Sequence, residues 1–136
     1  MALVLVVDDD PAIRALVREV LEAAPGLAVR VREARDGYEA LLWLREEPAD
    51  LILLDLRMPR VDGWGVLLWL KSNARTAAIP VVVLTALDPA TALRGVARGP
   101  DGVLAKPFDL DALVGTVAAA LGPGRAGRGA LAGPEF

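Results

Sequence analysis

Apolar runs in this chain end in groups able to do chemistry. Ala2 to Val7 runs into Asp8-Asp9-Asp10, and Leu51-Ile52-Leu53-Leu54 into Asp55. Val81-Val82-Val83-Leu84 is followed by Thr85-Ala86, and Val103-Leu104-Ala105 by Lys106-Pro107. Clustered carboxylates persist where a cation or a raised pKa neutralises them. Oxygen ligands suit a hard cation such as Mg²⁺, which keeps waters and bridges to phosphate. A carboxylate can also act as a nucleophile and form an aspartyl phosphate. Phosphoryl transfer then needs in-line positioning and charge neutralisation. Lysine offers a point charge to one phosphoryl oxygen and a threonine hydroxyl a donor to another. These residue types describe an aspartate-phosphorylation site, if the fold brings them together.

The elements between them say that it does. The runs beginning at Leu3, Leu51 and Val81 are continuous and rich in β-branched residues, as in strands buried on both faces of a parallel sheet. Leu27 to Arg32 alternates at its end and suits an edge strand, and Val103 to Ala105 makes a short fifth. Helical patterns intervene. Asp10-Pro11 is a cap followed by Pro at the first helical position, with Ile13, Leu16, Val17, Val20 and Leu21 inward. Asp36, Asp62, Asp88 and Asp109 open four more. Gly95 weakens the fourth; the fifth turns Leu110, Leu113, Val114, Val117 and Leu121 inward and closes at Gly122. Five β-α units make a flavodoxin-like, doubly wound α/β sheet in the order 2-1-3-4-5. Ligands of such sheets bind beyond the carboxyl ends of the strands, where the acids, Thr85 and Lys106 lie. Residues 1–121 form this domain, and residues 122–136, rich in Gly, Pro, Ala and Arg, read as a tail or linker.

Composition narrows the chemistry. The 136 residues hold no Cys and no His, which excludes disulfides, thiol catalysis, Cys/His zinc sites and a serine–histidine triad. The net charge of −3 implies no strong field for nucleic acid or an anionic membrane. No apolar run approaches the ~20 residues of a membrane span, and no basic region precedes the first run, so a cytoplasmic protein is the expectation. Lys71 and Lys106 are the only lysines, which gives weight to Lys106 at a strand end.

Four motifs in order carry a resemblance: Val7-Asp8-Asp9-Asp10-Pro11, Leu53 to Gly63, Leu84-Thr85-Ala86, and Lys106-Pro107-Phe108. Over about residues 3–121 the chain resembles the response-regulator receiver domains of two-component signalling, similar to the chemotaxis-type (CheY-like) single-domain regulators. The resemblance implies that Asp55 is the phosphoacceptor. It implies Mg²⁺ held by Asp8, Asp9, Asp55 and the backbone carbonyl of Arg57, with Asp9 a more direct ligand than Asp8. It implies that Lys106 contacts the phosphoryl group, that Thr85, with Ala86 beside it, is the switch hydroxyl, and that Lys106–Pro107 is a cis peptide. Val103 stands where the family usually carries Tyr or Phe, so an aromatic flip cannot report the state of Thr85 there.

With no His, the phosphoryl donor acts in trans; by resemblance it is a histidine kinase or phosphotransfer protein, and a downstream protein target follows. Neither direct nucleic-acid binding nor membrane binding is expected. Leu87, two residues after Thr85, borders the path of attacking water and is expected to slow dephosphorylation. Trp69 is partly out of phase with Val66, Leu67 and Leu70, so it is expected to be exposed, as a partner or homodimer surface. Two other readings remain: a phosphorylation-independent scaffold with a vestigial site, and a small Mg²⁺-dependent phosphatase using the Asp8-x-Asp10 spacing.

Overall fold

The computed structural model describes residues 1–58, 62–94 and 99–122. Its strands are β1 (Ala2–Val7), β2 (Val29–Ala34), β3 (Leu51–Asp55), β4 (Val81–Thr85) and β5 (Gly102–Ala105). The helices are α1 (Pro11–Ala23), α2 (Gly37–Glu46), α3 (Gly63–Ser72), α4 (Pro89–Ala92) and α5 (Leu110–Leu121). The strands pair in parallel, in the order β2-β1-β3-β4-β5.

Alternation along each strand sends its side chains to opposite faces. Val4, Val6, Leu51, Leu53, Val82 and Leu84 join Val17 and Leu21 of α1 and Leu113 and Val117 of α5 in one core. Leu5, Val7, Ile52, Leu54, Val81 and Val83 join Ala40 and Leu44 of α2 and Val66, Leu67 and Leu70 of α3 in the other. Both faces are covered, which is why β1, β3 and β4 are apolar almost throughout.

Aspartates start the helices. Asp10, Asp36, Asp62 and Asp109 accept hydrogen bonds from backbone N–H groups of the first turns of α1, α2, α3 and α5. Asp88 does the same for Thr91 in α4, at 3.0 Å. Each cap satisfies an N–H that the helix leaves without a partner.

Three expectations shift. The second strand runs Val29–Ala34, two residues later than the apolar run, because Leu27 lies in a turn to Ala24 and is buried as core ahead of the strand. Its polar residues Arg30, Arg32 and Glu33 are held by ion pairs with α1 and with Glu47. Leu16 and Leu110 are 37% and 45% exposed rather than inward: Leu16 lies at the margin of the buried stripe of α1, and Leu110 is the first residue of α5, at the open end of its stripe. Gly95 and the tail from Pro123 to Phe136 lie outside the described residues. Among the described residues no helix is long and apolar enough to cross a membrane.

Candidate functional site

Parallel strands β1, β3 and β4 end side by side, and their last residues and the loops after them make the site. Asp8 directly follows β1 and is fully buried. Its Oδ1 accepts from the Asp10 N–H at 2.9 Å and its Oδ2 from Lys106 Nζ at 2.8 Å. Asp55 ends β3 and is 4% exposed. Its Oδ1 accepts from the Arg57 N–H at 3.2 Å and lies 3.7 Å from Lys106 Nζ. Asp9 is exposed, yet carboxylate oxygens of Asp8, Asp9 and Asp55 all come within 4.8 Å of one another. Asp10 turns away to cap α1, through a bond from Ala12 N–H at 2.9 Å, and is not one of these three. Asp55 meets Arg57 through its backbone, not its guanidinium; Arg60 lies outside the described residues.

The three acids are not all unpaired, as the run of aspartates alone implies. Lys106 crosses 98 positions of sequence to neutralise Asp8. What remains uncompensated falls on Asp55. Burial, with the charges of Asp8 and Asp9, raises its pKa from 3.8 to about 6, against the lowering effect of the Arg57 N–H and Lys106. Burial disfavours the Lys106 ammonium, but its bond to Asp8 and the charges of Asp8 and Asp55 outweigh this and hold its pKa above the usual value. An all-oxygen donor set with a strained negative charge fits a hard divalent cation.

Thr85 ends β4 and is fully buried. Its Oγ1 accepts from the Leu87 N–H at 2.9 Å, and no hydrogen bond donated by the hydroxyl is found among the described residues. Ala86 is exposed, and Leu87 is half-buried against the core beneath α2 and α3. The Thr85 carbonyl accepts from the Lys106 N–H at 2.7 Å, joining the ends of β4 and β5. The Lys106–Pro107 peptide is cis. Val103 is half-buried on β5, opposite Val83. Beside Lys106, the residues Ile13, Leu16, Ala86, Pro107 and Phe108 line an apolar cavity of about 340 Å³.

Several supporting residues were not singled out from sequence. Arg14 of α1 donates to the Asp8 carbonyl at 2.6 Å and to Glu33 at 3.1 Å, tying the acidic loop to β2. Gly63 starts α3 against the end of β3; a Cβ there would stand 2.3 Å from the Asp55 carbonyl oxygen and 2.4 Å from Leu56 Cα. The signal was present as Asp62-Gly63, a cap followed by the one residue that permits the approach. Lys71 is buried and donates to Asp101 at 2.8 Å and to the Ile79 carbonyl at 3.0 Å. Burial pushes the Asp101 carboxyl up, but its bonds from Lys71 and the Val81 N–H outweigh that and hold it below the ordinary value. The two lysines of this chain therefore pair with carboxylates at opposite ends of the sheet, Lys106 with the buried Asp8 and Asp55 and the buried Lys71 with the exposed Asp101.

Comparison with known proteins agrees with this geometry. A family model described as the response regulator receiver domain matches residues 4–118. The DNA-binding dual master transcriptional regulator RpaA of Synechocystis sp. is 41% identical over 122 residues, which are 89% of this chain and 49% of that protein. The chain spans half or less of the length of the curated relatives it matches. The solved structure of the chemotaxis response regulator CheY4 of Vibrio cholerae is 32% identical with a TM-score of 0.80, covering 88% of this chain and 98% of that one. The Mn(2+)-bound form of response regulator Rcp1 is 32% identical with a TM-score of 0.70, covering 86% and 89%.

Proposed function

We propose a phosphoryl-accepting switch centred on Asp55 for this chain, which belongs to the response regulator receiver domain family of two-component signalling. Phosphorylation-dependent signal receiving is the function that membership supports. The observation that carries the finer reading is the setting of Asp55: buried, with one oxygen held by a backbone N–H, and beside two acids and an ammonium.

With a pKa of about 6, Asp55 is ionised at neutral pH and available as a nucleophile. A carboxylate oxygen of Asp55 attacks the phosphorus of a phosphohistidine in a kinase or phosphotransfer protein. The P–N bond breaks as the O–P bond forms, and the imidazole keeps the electron pair and takes a proton from water. The apolar surface of Ile13, Leu16 and Phe108 beside Lys106 offers the donor protein a seat next to the reacting group.

Asp8, Asp9 and Asp55, with the carbonyl of Arg57, would hold Mg²⁺; a metal bound there supplies charge neutralisation to the phosphoryl oxygens. The manganese bound by the similar response regulator Rcp1 supports that reading. Lys106 is poised to exchange part of its bond to Asp8 for a phosphoryl oxygen on Asp55. Thr85 accepts from the Leu87 N–H and donates its hydroxyl hydrogen to no described residue, so that hydrogen is available for another phosphoryl oxygen. The switch is then a local charge change that re-aims the end of β4. A downstream protein reads that change.

Incubation with radiolabelled acetyl phosphate and Mg²⁺ tests this. The native chain takes up label and Asp55→Asn does not; label retained by Asp55→Asn moves the acceptor elsewhere.

A further inference from the structure

A second surface lies at the other end of the sheet. Pro48 leads into β3 and Ile79 into β4, so the groove they border sits at the amino ends of the strands, away from Asp55. It is a cavity of about 390 Å³ between the last turns of α2 and α3, floored by Leu41, Leu44 and Ile79 and walled by Trp69. Arg45 and Arg75 stand on its rim, and no carboxylate lines it.

Three features separate this groove from an ordinary gap between helices. The first is Trp69, 41% exposed, whose indole N–H has no hydrogen bond among the described residues. Trp43 and Trp64 instead donate to the carbonyls of Glu33 and Ala92. The second is the two arginines. Arg14, Arg18, Arg30, Arg32 and Arg35 all form ion pairs, whereas Arg45 and Arg75, like the separate Arg57 and Arg94, form none among the described residues, and only these two share one groove. The third is composition: an exposed Trp and two Arg beside aliphatic side chains, without Lys, Asp or Glu, is the make-up of an interface centre.

We propose that this groove docks an acidic, amphipathic segment of a partner protein. An apolar side chain of the segment seats against Trp69, Leu41 and Leu44, and its carboxylates meet Arg45 and Arg75. Neighbouring positive charge without an internal counter-charge selects acidic over basic segments by complementarity. The Trp69 N–H remains to bind a carbonyl or carboxylate of the same segment.

The test is fluorescence anisotropy of a fluorescein-labelled peptide, Glu-Leu-Asp-Phe-Leu-Glu, titrated with the unphosphorylated full chain. Saturable binding is expected, weakened about tenfold or more by Arg45→Glu with Arg75→Glu and by Trp69→Ala, while Arg35→Glu leaves it unchanged. Both arginines are exposed, so the charge variants keep the fold; circular dichroism verifies this. No binding, equal binding of a lysine-substituted peptide, or equal binding of a single-stranded oligonucleotide overturns the proposal. So does self-association of the chain through the same residues in light scattering. None of these outcomes depends on Asp55 chemistry.

Discussion

Asp55 combines two requirements that pull against each other. A nucleophile must be ionised, and a buried carboxylate resists ionisation. Its raised pKa records the compromise, and its stability consequence has a definite sign. A carboxyl whose pKa rises on folding binds its proton more tightly in the folded state. The stability this contributes is present below the unfolded value, near 3.8, and is lost as pH rises through about 6. Without metal, Asp55→Asn therefore stabilises the chain at pH 7.5, by at most about 3 kcal/mol. The gain shrinks as pH falls toward 4, in paired urea titrations of the two proteins. Gly63 makes the complementary demand for space. The atoms that a Cβ would meet there are main-chain atoms of Asp55 and Leu56, which cannot turn aside. Gly63→Ala is expected to cost about 2 kcal/mol or more and to slow acetyl-phosphate labelling, since the same shift displaces the acceptor.

Among elements, β2 shows how the fold protects its own open side. Its even-numbered residues bond to β1, so the odd ones present N–H and C=O groups outward. Glu22 of α1 accepts from the Val31 N–H at 2.8 Å, and Arg18, one turn earlier, donates to the Val31 carbonyl. Trp43 of α2 takes the Glu33 carbonyl from the other side, with the Arg32 guanidinium 4.2 Å from its ring centroid. Helix side chains thus fill bonding positions that an added strand would need. Arg18→Ala with Glu22→Ala is expected to lower stability by less than about 1 kcal/mol, because water replaces the edge bonds. The same variant is expected to self-associate on warming, visible as a rising scattered intensity that the native chain does not show.

For the whole molecule, the acidic cluster links metal, proton and fold. If the proposed Mg²⁺ site forms where the three carboxylates converge, a geometry the unfolded chain lacks, millimolar Mg²⁺ is expected to raise Tm by mass action. At one hundred times Kd the gain is about 2.7 kcal/mol. Because a cation competes with the proton on Asp55, the rise should be larger at pH 7.5 than at pH 5, and small in Asp9→Asn at either pH. Scanning calorimetry with and without Mg²⁺ checks this; a Tm unmoved by Mg²⁺ at pH 7.5 counts against a metal at this cluster.

Much of this architecture is local and was legible. Unbroken runs such as Val81 to Leu84 mark strands buried on both faces, because alternate side chains enter two separate cores. Asp-led helix starts were readable because a cap bond spans only two or three residues. The acidic site was also legible, as residues at strand ends: once parallel order is set, those ends are neighbours. What needed the tertiary structure is whatever depends on distance across the chain. Leu16 and Leu110 lie in apolar patterns yet are exposed, since the width and length of a buried stripe are set by what packs against it. The pairing of Lys106 with Asp8, of Lys71 with Asp101 and of Trp64 with Ala92 joins residues 98, 30 and 28 positions apart. Sequence by itself determined which side chains stand at the carboxyl ends of the strands, because hydrophobic period and caps are short-range. Only the tertiary structure decided which charges are neutralised, leaving the burden on Asp55 and two arginines bare beside Trp69, because electrostatic partners are chosen by distance in space.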